Sequence, residues 1–447
     1  MEFKEFKDLL FKKALNNGFE ECEIYFSNRE SISLSVYEQE LEKYNINTTF
    51  GLSFRGKING KIGYSYTEIL DEEAIDMLIK NAKEGANSIE NDDVQFIYDG
   101  DKEYQKVNCY SKELENLNTE KLIELALEIE RECKEYSKKV VNLSGCSIGY
   151  GNSKYGIYNT KGLNLVNKSN SLTAYVVPIV EDNNEKYDGT GYVTALSIDE
   201  INPKKIAKQG VEEALSRIGG RSIPSGKYKA ILYNEAMVSL LSTFCDIFDA
   251  DAAQKGLSLL KDKEGEIIAS DVVTIVDDPL LDNGFASTPF DDEGVATYKK
   301  ELVSKGELKT LLHNLKTAYK AGGKSTGNGF KYSYASPVSI SPTNLYIEKG
   351  EKSLEELMQE VGEGILITEL AGLHSGANSI TGDFSLAAKG FYIESGKKSY
   401  PIEQITIAGN FFNILKDIEG VGNDLKFPMS SIGSPSVKIK EISLAGK

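Results

Sequence analysis

Apolar residues along the first 90 positions change from a helical spacing to a strand spacing and back. The chain opens with apolar residues three or four positions apart, which predicts a helix over residues 1–17: Phe3, Phe6, Leu9, Leu10 and Ala14. Four runs with a period of two follow, CEIYF, SISLSVYE, TTFGLSF and KIGYSY, and this alternation predicts half-buried antiparallel strands. Asp71 is then the predicted N-cap of a helix through about Ala86.

The next segment also contains predicted helices and strands. After a predicted loop around 88–110, the run TEKLIELALEIERECKEYSKK predicts a helix that starts at Thr119. Strand-like runs follow, VNLSGCSIGYG, YGIYNT, LNLVNKS and SLTAYVVPIV, and Asn202-Pro203 opens a helix expected to end at Gly219-Gly220. The run EDNNEKYDG resembles a calcium loop, but Lys186 stands where a ligand is needed, so we interpret it as a turn.

The rest of the chain is rich in Gly, Ser and Asp, with many short strands and few helices. Helices are predicted at 234–248, within 308–321 and over SLEELMQEVG, and the frequent turn signals are compatible with a barrel. The predicted fold class is therefore α+β, with an N-terminal helix-plus-antiparallel-sheet region and a strand-rich C-terminal domain. We predict domains at 1–110, 111–222 and 223–447, the last boundary falling in the linker GGRSIPSGKY.

Charge argues against a direct nucleic-acid partner. The chain has 51 basic and 68 acidic residues, so its net charge is −17, whereas a phosphate-backbone binder needs a basic face. Only five of the basic residues are arginines, the usual residue for bidentate phosphate and base contacts: Arg29, Arg55, Arg131, Arg217 and Arg221.

Cysteine usage and hydropathy point to a soluble cytoplasmic protein. Five scattered cysteines without a CxxC pair predict free thiols in a reducing compartment. No apolar run approaches the roughly 18 residues of a membrane span, and the first residues mix charges with apolar residues, unlike a signal peptide. We therefore expect neither a membrane partner nor export by a signal peptide.

Several motifs suggest chemistry without completing it. GGRSIPSGKY and AGGKST are near misses to a phosphate loop, since the first has one residue too many between its glycines and the second lacks the first glycine. The acidic groups at Asp246/Asp249/Asp251, Asp277-Asp278 and Asp291-Asp292-Glu293 could hold a cation or act as acid and base. We interpret these groups mainly as solvated loops or helix caps, and the DDEG segment as a turn whose acids bind backbone amides.

The two histidines, His313 and His374, complete no catalytic arrangement. We expect His313 in a partly buried helix and His374 in a loop, and no Ser/His/Asp or Cys/His set is evident. The residue pattern alone therefore indicates no enzymatic activity and no cofactor.

Long strings in the C-terminal half resemble the TldD/PmbA family, also labelled modulator of DNA gyrase. These strings are PFDDEGVAT, STGNGFKYS, SPTNLYIEKG, ITGDFSLAAKGFYIESGK and GSPSVKIKEISLAG, and the resemblance extends over essentially the whole chain. It implies cytosolic proteolysis. TldD-type members bind a metal through His-Glu-x-x-x-His on a helix and a Cys near the C-terminus, which is the chemistry of a metallopeptidase.

This sequence departs from the TldD-type pattern at the metal ligands. After YKAILY the motif becomes Asn234-Glu235-Ala236-Met237-Val238-Ser239, so that Asn234 and Ser239 replace both histidines and only Glu235 is kept. Val421 stands where TldD-type members have cysteine, and no cysteine follows Cys245. An amide, a hydroxyl and an isopropyl group do not form a zinc site. We assign no metal ligand and no catalytic residue among these four degenerate positions.

The resemblance therefore implies the PmbA/TldE branch, the metal-free partner of a TldD-type peptidase in a heterodimer. The expected role is a non-catalytic subunit that handles unfolded peptides, with a homodimer when the chain is isolated. Two alternatives stay open. One is a peptidase in its own right with an unrecognised site, and the other is a non-proteolytic adaptor that affects gyrase or a toxin system.

Overall fold

One long antiparallel sheet dominates the N-terminal half of the computed structural model, which describes residues 1–90 and 94–447. Its strands are β1 (Glu21–Tyr37), β2 (Glu40–Ile58), β3 (Lys61–Thr67), β4 (Val140–Asn159), β5 (Asn164–Asp182), β6 (Glu185–Asp188) and β7 (Gly191–Ala195). They lie in the order β3-β2-β1-β4-β5-β6, and β7 also pairs with β5. Because β1 pairs with β4, the sheet runs through both predicted N-terminal segments, and their division at 110 stays a prediction.

Four helices accompany this sheet within the described residues: α1 (Phe3–Asn16), α2 (Glu72–Asn87), α3 (Thr119–Tyr136) and α4 (Pro203–Ser216). All four were expected from the sequence, and the Asp71 cap is confirmed because its carboxylate accepts the Ala74 N–H at 2.8 Å. The helix after Asn202 ends at Ser216, before the predicted Gly219-Gly220. Part of the predicted loop around 88–110, at 91–93, lies outside the described residues.

The predicted short strands are parts of much longer ones. CEIYF and SISLSVYE both belong to β1, VNLSGCSIGYG and YGIYNT to β4, and LNLVNKS and SLTAYVVPIV to β5. The polar residues between these runs stay paired, as Asn28 does with Phe50 and with Lys154. Polar side chains on an open sheet face do not end a strand. EDNNEKYDG forms the predicted turn, with Asn183 and Asn184 at positive φ between β5 and β6.

The two faces of this sheet differ in chemistry. One face packs against the helices, with Leu34, Ile148 and Leu172 in a core that α3 and α4 complete. The opposite face is partly covered by the C-terminal domain, at Tyr25 and Ile157, which pack with Phe290. The remainder, here called the polar face, carries small polar residues on neighbouring strands: Ser31, Ser33, Asn45, Asn47, Gly151, Ser153, Ser169 and Ser171.

Strands of the C-terminal half are short except around a barrel. They are β8 (Gly226–Leu232), β9 (Ile275–Asp277), β10 (Lys300–Ser304), β11 (Glu307–Leu308), β12 (Gly329–Lys331), β13 (Val338–Ile340), β14 (Leu345–Ile347), β15 (Gly364–Ala371), β16 (Asp383–Glu394), β17 (Lys397–Asn410), β18 (Ile418–Val421), β19 (Ile432–Gly433) and β20 (Val437–Ala445). The order β17-β16-β15-β8-β20 closes through pairing of β17 with β20, which gives a closed five-stranded barrel. The predicted α+β class and the barrel are thus confirmed.

The C-terminal helices are α5 (Asn234–Phe244), α6 (Ala250–Gln254), α7 (Leu315–Lys320), α8 (Leu354–Val361), α9 (Leu373–Gly376) and α10 (Phe411–Asp417). Two predictions need correction. The helix at 234–248 changes to a 3₁₀ turn after Phe244. The helix predicted within 308–321 begins only at Leu315, because Asn314 caps it by accepting the Thr317 N–H. His313 therefore lies before the helix and not in it. None of the helices in the described residues combines the length and apolar character that a membrane crossing needs.

Candidate functional site

The degenerate motif lies where the central barrel strand β8 leads into helix α5. Asn234 is the first residue of α5 and its side chain is buried. Its backbone N–H donates to the Ser436 hydroxyl at 3.2 Å, and its amide nitrogen donates to the Asp424 carbonyl and carboxylate at 3.1 and 3.3 Å. Its amide oxygen has no hydrogen-bond partner among the described residues. The amide is thus oriented by Asp424.

Glu235, the retained residue of the motif, is held by a cation and a phenol. The Lys426 ammonium lies 2.6 Å from one oxygen of its carboxylate, and the Tyr192 hydroxyl donates to the same oxygen at 2.9 Å. The ammonium also lies 4.7 Å from the centre of the Tyr192 ring. Burial, and then the negative charge of Glu235, raise the pKa of Tyr192, so the phenol remains a neutral donor.

The other two motif positions offer only a neutral hydroxyl and methyl groups. The Ser239 hydroxyl donates to the Glu235 carbonyl at 2.9 Å, one helical turn back. Val421 is buried in β18 opposite Val437 of β20, which is itself opposite Leu232 of β8. Val421 therefore lies level with the end of β8, two strands away from it, and contributes only methyl groups.

A cleft of about 680 Å³ runs along the exposed side of α5. Its walls come from α5, from the α9 region and from the segment after Lys426: Glu235, Val238, Ser239, Ser242, Thr243, Leu373, His374, Ala377, Ser379, Pro428 and Ser430. His374 is exposed in the one-turn helix α9, within the predicted loop. The fold therefore brings His374 into the same cleft as Glu235 and Ser239, although they are far apart in the sequence.

The residues present do not fit the zinc that the TldD-type pattern implies. Zinc in a peptidase needs three nitrogen, sulfur or oxygen ligands with free lone pairs. Here the Asn234 amide oxygen has no hydrogen-bond partner in the described part of the chain but is a neutral, weak ligand, the Ser239 hydroxyl is neutral and donates within its own helix, and the Glu235 carboxylate is paired with an ammonium group. Over residues 1–90 and 94–447, no group of three or more His, Cys, Asp or Glu is arranged to hold a metal ion.

Sequence reasoning missed the residues that surround Glu235. Four side chains reach the motif from other elements. One is Tyr192 of β7, and three come from the segments between β18 and β20: Asp424, Lys426 and Ser436. Asp424 and Lys426 belong to GVGNDLKFPMSS, the string that contains Val421 at the position of the TldD-type cysteine. A cation in that string was the available signal, because a carboxylate without a metal needs another positive partner.

Two of the three acidic groups are buried, contrary to the solvated loops expected. Asp277 is fully buried and accepts hydrogen bonds from Lys300, Asn328 and Thr343. It lies on β9, the central strand of the sheet β11-β10-β9-β14-β19. Asp249 is a helix cap as expected, since its carboxylate accepts the Asp251 N–H.

The acids of the DDEG segment bind backbone amides, which confirms their structural role. Asp291 accepts from the N–H groups of Val295 and Gly329, and Asp292 from that of Lys331. Burial raises the pKa of Asp292 to about 6. These acids, too, are buried, which corrects the expectation of a solvated loop.

A buried lysine beside the DDEG segment joins the two halves of the chain. The Lys331 ammonium donates to the Ser53 hydroxyl at 3.2 Å and to the Tyr64 hydroxyl at 3.4 Å, both on the N-terminal sheet. Burial first, and then the nearby charge of Arg55, lower its pKa to about 7.

Comparison with known proteins covers the whole fold. Family models described as PmbA/TldA metallopeptidase domain 1, central domain and C-terminal domain match residues 22–86, 112–218 and 225–446. A protein of Thermotoga maritima described as a modulator of a DNA gyrase is 36% identical, with a TM-score of 0.93 over 99% of this chain and 100% of that one. The Metalloprotease PmbA of Escherichia coli is 29% identical over 95% of this chain and 92% of its own length.

A likeness in fold extends to TldE from Thermococcus kodakarensis, with a TM-score of 0.90 at 22% identity over 99% of this chain and 100% of that one. All three domain models of one family match in order, and the fold agrees from end to end. The chain therefore belongs to the TldD/PmbA family of metallopeptidase-like proteins.

Proposed function

We propose that this chain is a PmbA/TldE-type, non-catalytic subunit of a TldD-type metallopeptidase complex that degrades or processes unfolded peptides. The observation that carries this proposal is the environment of Glu235. Its carboxylate is neutralised by the Lys426 ammonium, in a place where a peptidase would need a metal-bound water to activate. Of the flanking positions, Ser239 donates its hydroxyl within its own helix, and Asn234 offers only a neutral amide oxygen.

The polar face of the N-terminal sheet supports a role in handling flexible polypeptides. Its serines, asparagines and glycines offer hydrogen-bonding groups without a large apolar patch, and a cavity of about 530 Å³ lies on it. An unfolded peptide needs partners for its backbone and side-chain polar groups, and such a surface supplies them without selecting one sequence. We propose that this face forms one wall of the space through which substrate reaches the partner's metal.

The partner in this proposal is a TldD-type chain of related fold, and the isolated chain associates with itself. We propose a cytoplasmic location as well, because all five cysteines are free thiols, four of them buried.

Metal content and proteolysis of an unfolded substrate test this proposal together. The chain, purified without a metal-affinity tag, should contain no stoichiometric zinc, iron or manganese and should not cleave the substrate alone. Cleavage should appear with a TldD-type chain and should disappear with a chelator. In that mixture Glu235→Gln should leave the rate within about twofold of the unmodified chain, because an interaction made only in the transition state would change it far more.

One metal ion per chain, with chelator-sensitive cleavage by the chain alone, would contradict the proposal and favour a peptidase in its own right. Recovery of gyrase without any peptidase subunit in a pull-down would favour the adaptor.

A further inference from the structure

The outer edge of β2 is unpaired where the strand projects beyond β3. On one side β2 pairs with β1 from Glu40 onward, but on the other side β3 pairs only with the segment from Leu52 to Ile58. Among the described residues no strand pairs with this outer edge between Glu40 and Gly51, and every side chain from 40 to 49 is exposed. About half of the backbone N–H and C=O groups of this segment therefore face an open edge.

Residues 44–51 of this edge lack the features that normally prevent strands from pairing, and the charges and the bulge at Glu42 lie farther out. Natural edge strands are protected by charged side chains, prolines or bulges. The run YNINTTFG, residues 44–51, has no charge and no proline, in a chain whose net charge is −17. Its pairing with β1 is regular, since the register shift lies farther out, at Ser35/Val36. Tyr44 and Ile46 are 41% and 63% exposed at this edge. An uncharged, regular and partly apolar edge is a site for pairing with another strand.

We infer that this edge pairs antiparallel with the same edge of a second copy of the chain, which rests on the self-association named in the proposed function. A two-fold axis perpendicular to the sheet keeps each side chain on its own face of the sheet. Two residues that lie opposite each other across the axis must point to the same face, so their sequence numbers differ by an even number. The register must therefore be centred on a residue.

The exposed side chains of Tyr44 and Ile46 select Asn45 as that centre, because they lie opposite each other only in this register, whereas charge merely excludes two others. A register centred on Glu42 or Lys43 places like charges opposite each other, which destabilises a cross-strand pair. Centred on Asn45, Tyr44 lies opposite Ile46 in both directions, an aromatic and β-branched pair that stabilises sheets. Lys43 then lies opposite Asn47, and the bulged Glu42 follows near the neutral Thr48, so no like charges meet.

Pairing at this edge would also extend the polar face. Asn47 and Thr49 line the cavity on that face and lie on the outermost strand beside it. A second copy in this register continues the sheet across the axis, so that two polar faces form one surface. The polar wall of a single chain is then half of the surface present in the pair.

A charge placed on the edge tests the pairing, with an equally exposed isoleucine as control. Ile46 and Ile267 are 63% and 65% exposed, but Ile267 lies in the C-terminal half of the chain, between α6 and β9. The eleven residues per chain from 40 to 50 are fewer than the 20–30 of a standard interface, so we expect a dissociation constant on the order of micromolar. In analytical ultracentrifugation, Ile46→Lys should raise the dissociation constant at least tenfold, and Ile267→Lys should leave it within twofold.

A disulfide tests the register independently of stability. Opposed residues in an antiparallel pair have Cα atoms about 4.5–5.5 Å apart, which is within the range of a disulfide, so Asn45→Cys should give a covalent dimer under mild oxidation. Asn47→Cys is the control, because the two copies of position 47 are offset by four residues, or about 13 Å along the strand. The unmodified chain under the same oxidation reports any bridge from Cys245, the one cysteine that is not buried.

A monomeric chain at high concentration, a dimer unaffected by Ile46→Lys, or equal cross-linking of Asn45→Cys and Asn47→Cys would each overturn the inference. Loss of unfolded-peptide binding in Ile46→Lys, in a chain that stays monomeric, would assign the edge to substrate and overturn it too. A TldD-type complex that remains active while the isolated chain is monomeric would overturn this inference and the proposed self-association, and leave the proposed role as a peptidase subunit standing.

Discussion

Asn234 is buried against a carboxylate, and this contact determines which side chains the position tolerates. Its amide nitrogen donates to Asp424, which also accepts from the N–H and hydroxyl of Ser436. Asn234→Asp would replace that donor by a second carboxylate, which burial and repulsion both destabilise. We expect the free energy of unfolding at pH 7.5 to fall by roughly 2–4 kcal/mol in urea titrations.

Asn234→Ala is the control for this substitution, because it removes the donor without adding a charge, and we expect a loss of about 1 kcal/mol. The introduced carboxyl has a raised pKa in the folded state, so its destabilisation should decrease as the pH falls from 7.5 to 5. A deficit for Asn234→Asp that equals that of Asn234→Ala at both pH values would show that the new carboxylate is solvated or has found another donor.

At the same scale, the sequence predicted which side chains are missing from the site but not which ones replaced them. The substitution of both motif histidines and the absence of a cysteine are properties of the letters alone. The pairing of Glu235 with Lys426 depends on a contact across 191 positions, and no local pattern encodes it. Likewise, nothing near His374 in the sequence indicates that it shares a cleft with Glu235.

Among the elements, the start of α2 offers a direct test of a capping prediction. The Asp71 carboxylate accepts the Ala74 N–H at 2.8 Å and lies at the positive end of the helix. Asp71→Ala should lower the free energy of unfolding by about 1 kcal/mol. Asp71→Asn keeps an accepting oxygen, so its free energy of unfolding should stay within a few tenths of a kcal/mol of the value for the unmodified chain. Urea titrations of both variants at one pH measure the difference, and equal losses would mean that charge and not the hydrogen bond matters.

Helix starts were predictable because capping is local chemistry, whereas strand lengths were not. Asp71, Asn118 and Asn202 each accept a backbone N–H of the helix that follows. The long strands β1, β4 and β5 pass through polar stretches that resemble turns in the sequence. Those stretches remain strands because neighbouring strands satisfy their backbone groups, and this information lies elsewhere in the chain.

For the whole molecule, the barrel was compatible with the turn pattern, but its closure was not encoded locally. It depends on β17 pairing with β20, and on β8 pairing with β15 and β20 from distant parts of the chain. The burial of the acids at Asp277 and in the DDEG segment was missed for a related reason. Their partners, including Lys300 and the backbone of β12, arrive through long-range folding.

The junction between the two halves of the molecule should show a characteristic pH dependence through Lys331. Burial lowers the pKa of its ammonium to about 7, whereas an unfolded lysine titrates near 10.4. Above pH 7 the folded state loses this proton while the unfolded state keeps it, so unfolding takes up a proton and stability rises with pH. The contribution is up to about 1.4 kcal/mol per pH unit. Lys331→Met removes it, so the unmodified chain should gain on the order of 1 kcal/mol over the variant between pH 7.5 and 8.5.

The buried cysteines contribute a pH dependence of the opposite sign. Burial raises their pKa values and keeps their thiols protonated in the fold, so their contribution to stability falls near pH 9. Comparing the unmodified chain with a variant at each pH cancels this contribution. Lys349→Met is the matched control, since Lys349 is exposed and should give a difference that does not vary with pH. Parallel stability curves for the unmodified chain and Lys331→Met would show that Lys331 stays protonated in the fold. The acids Asp292 and Glu293 would then stabilise its charge at the junction, and the polar contacts to Ser53 and Tyr64 would join the halves as those of a permanent cation.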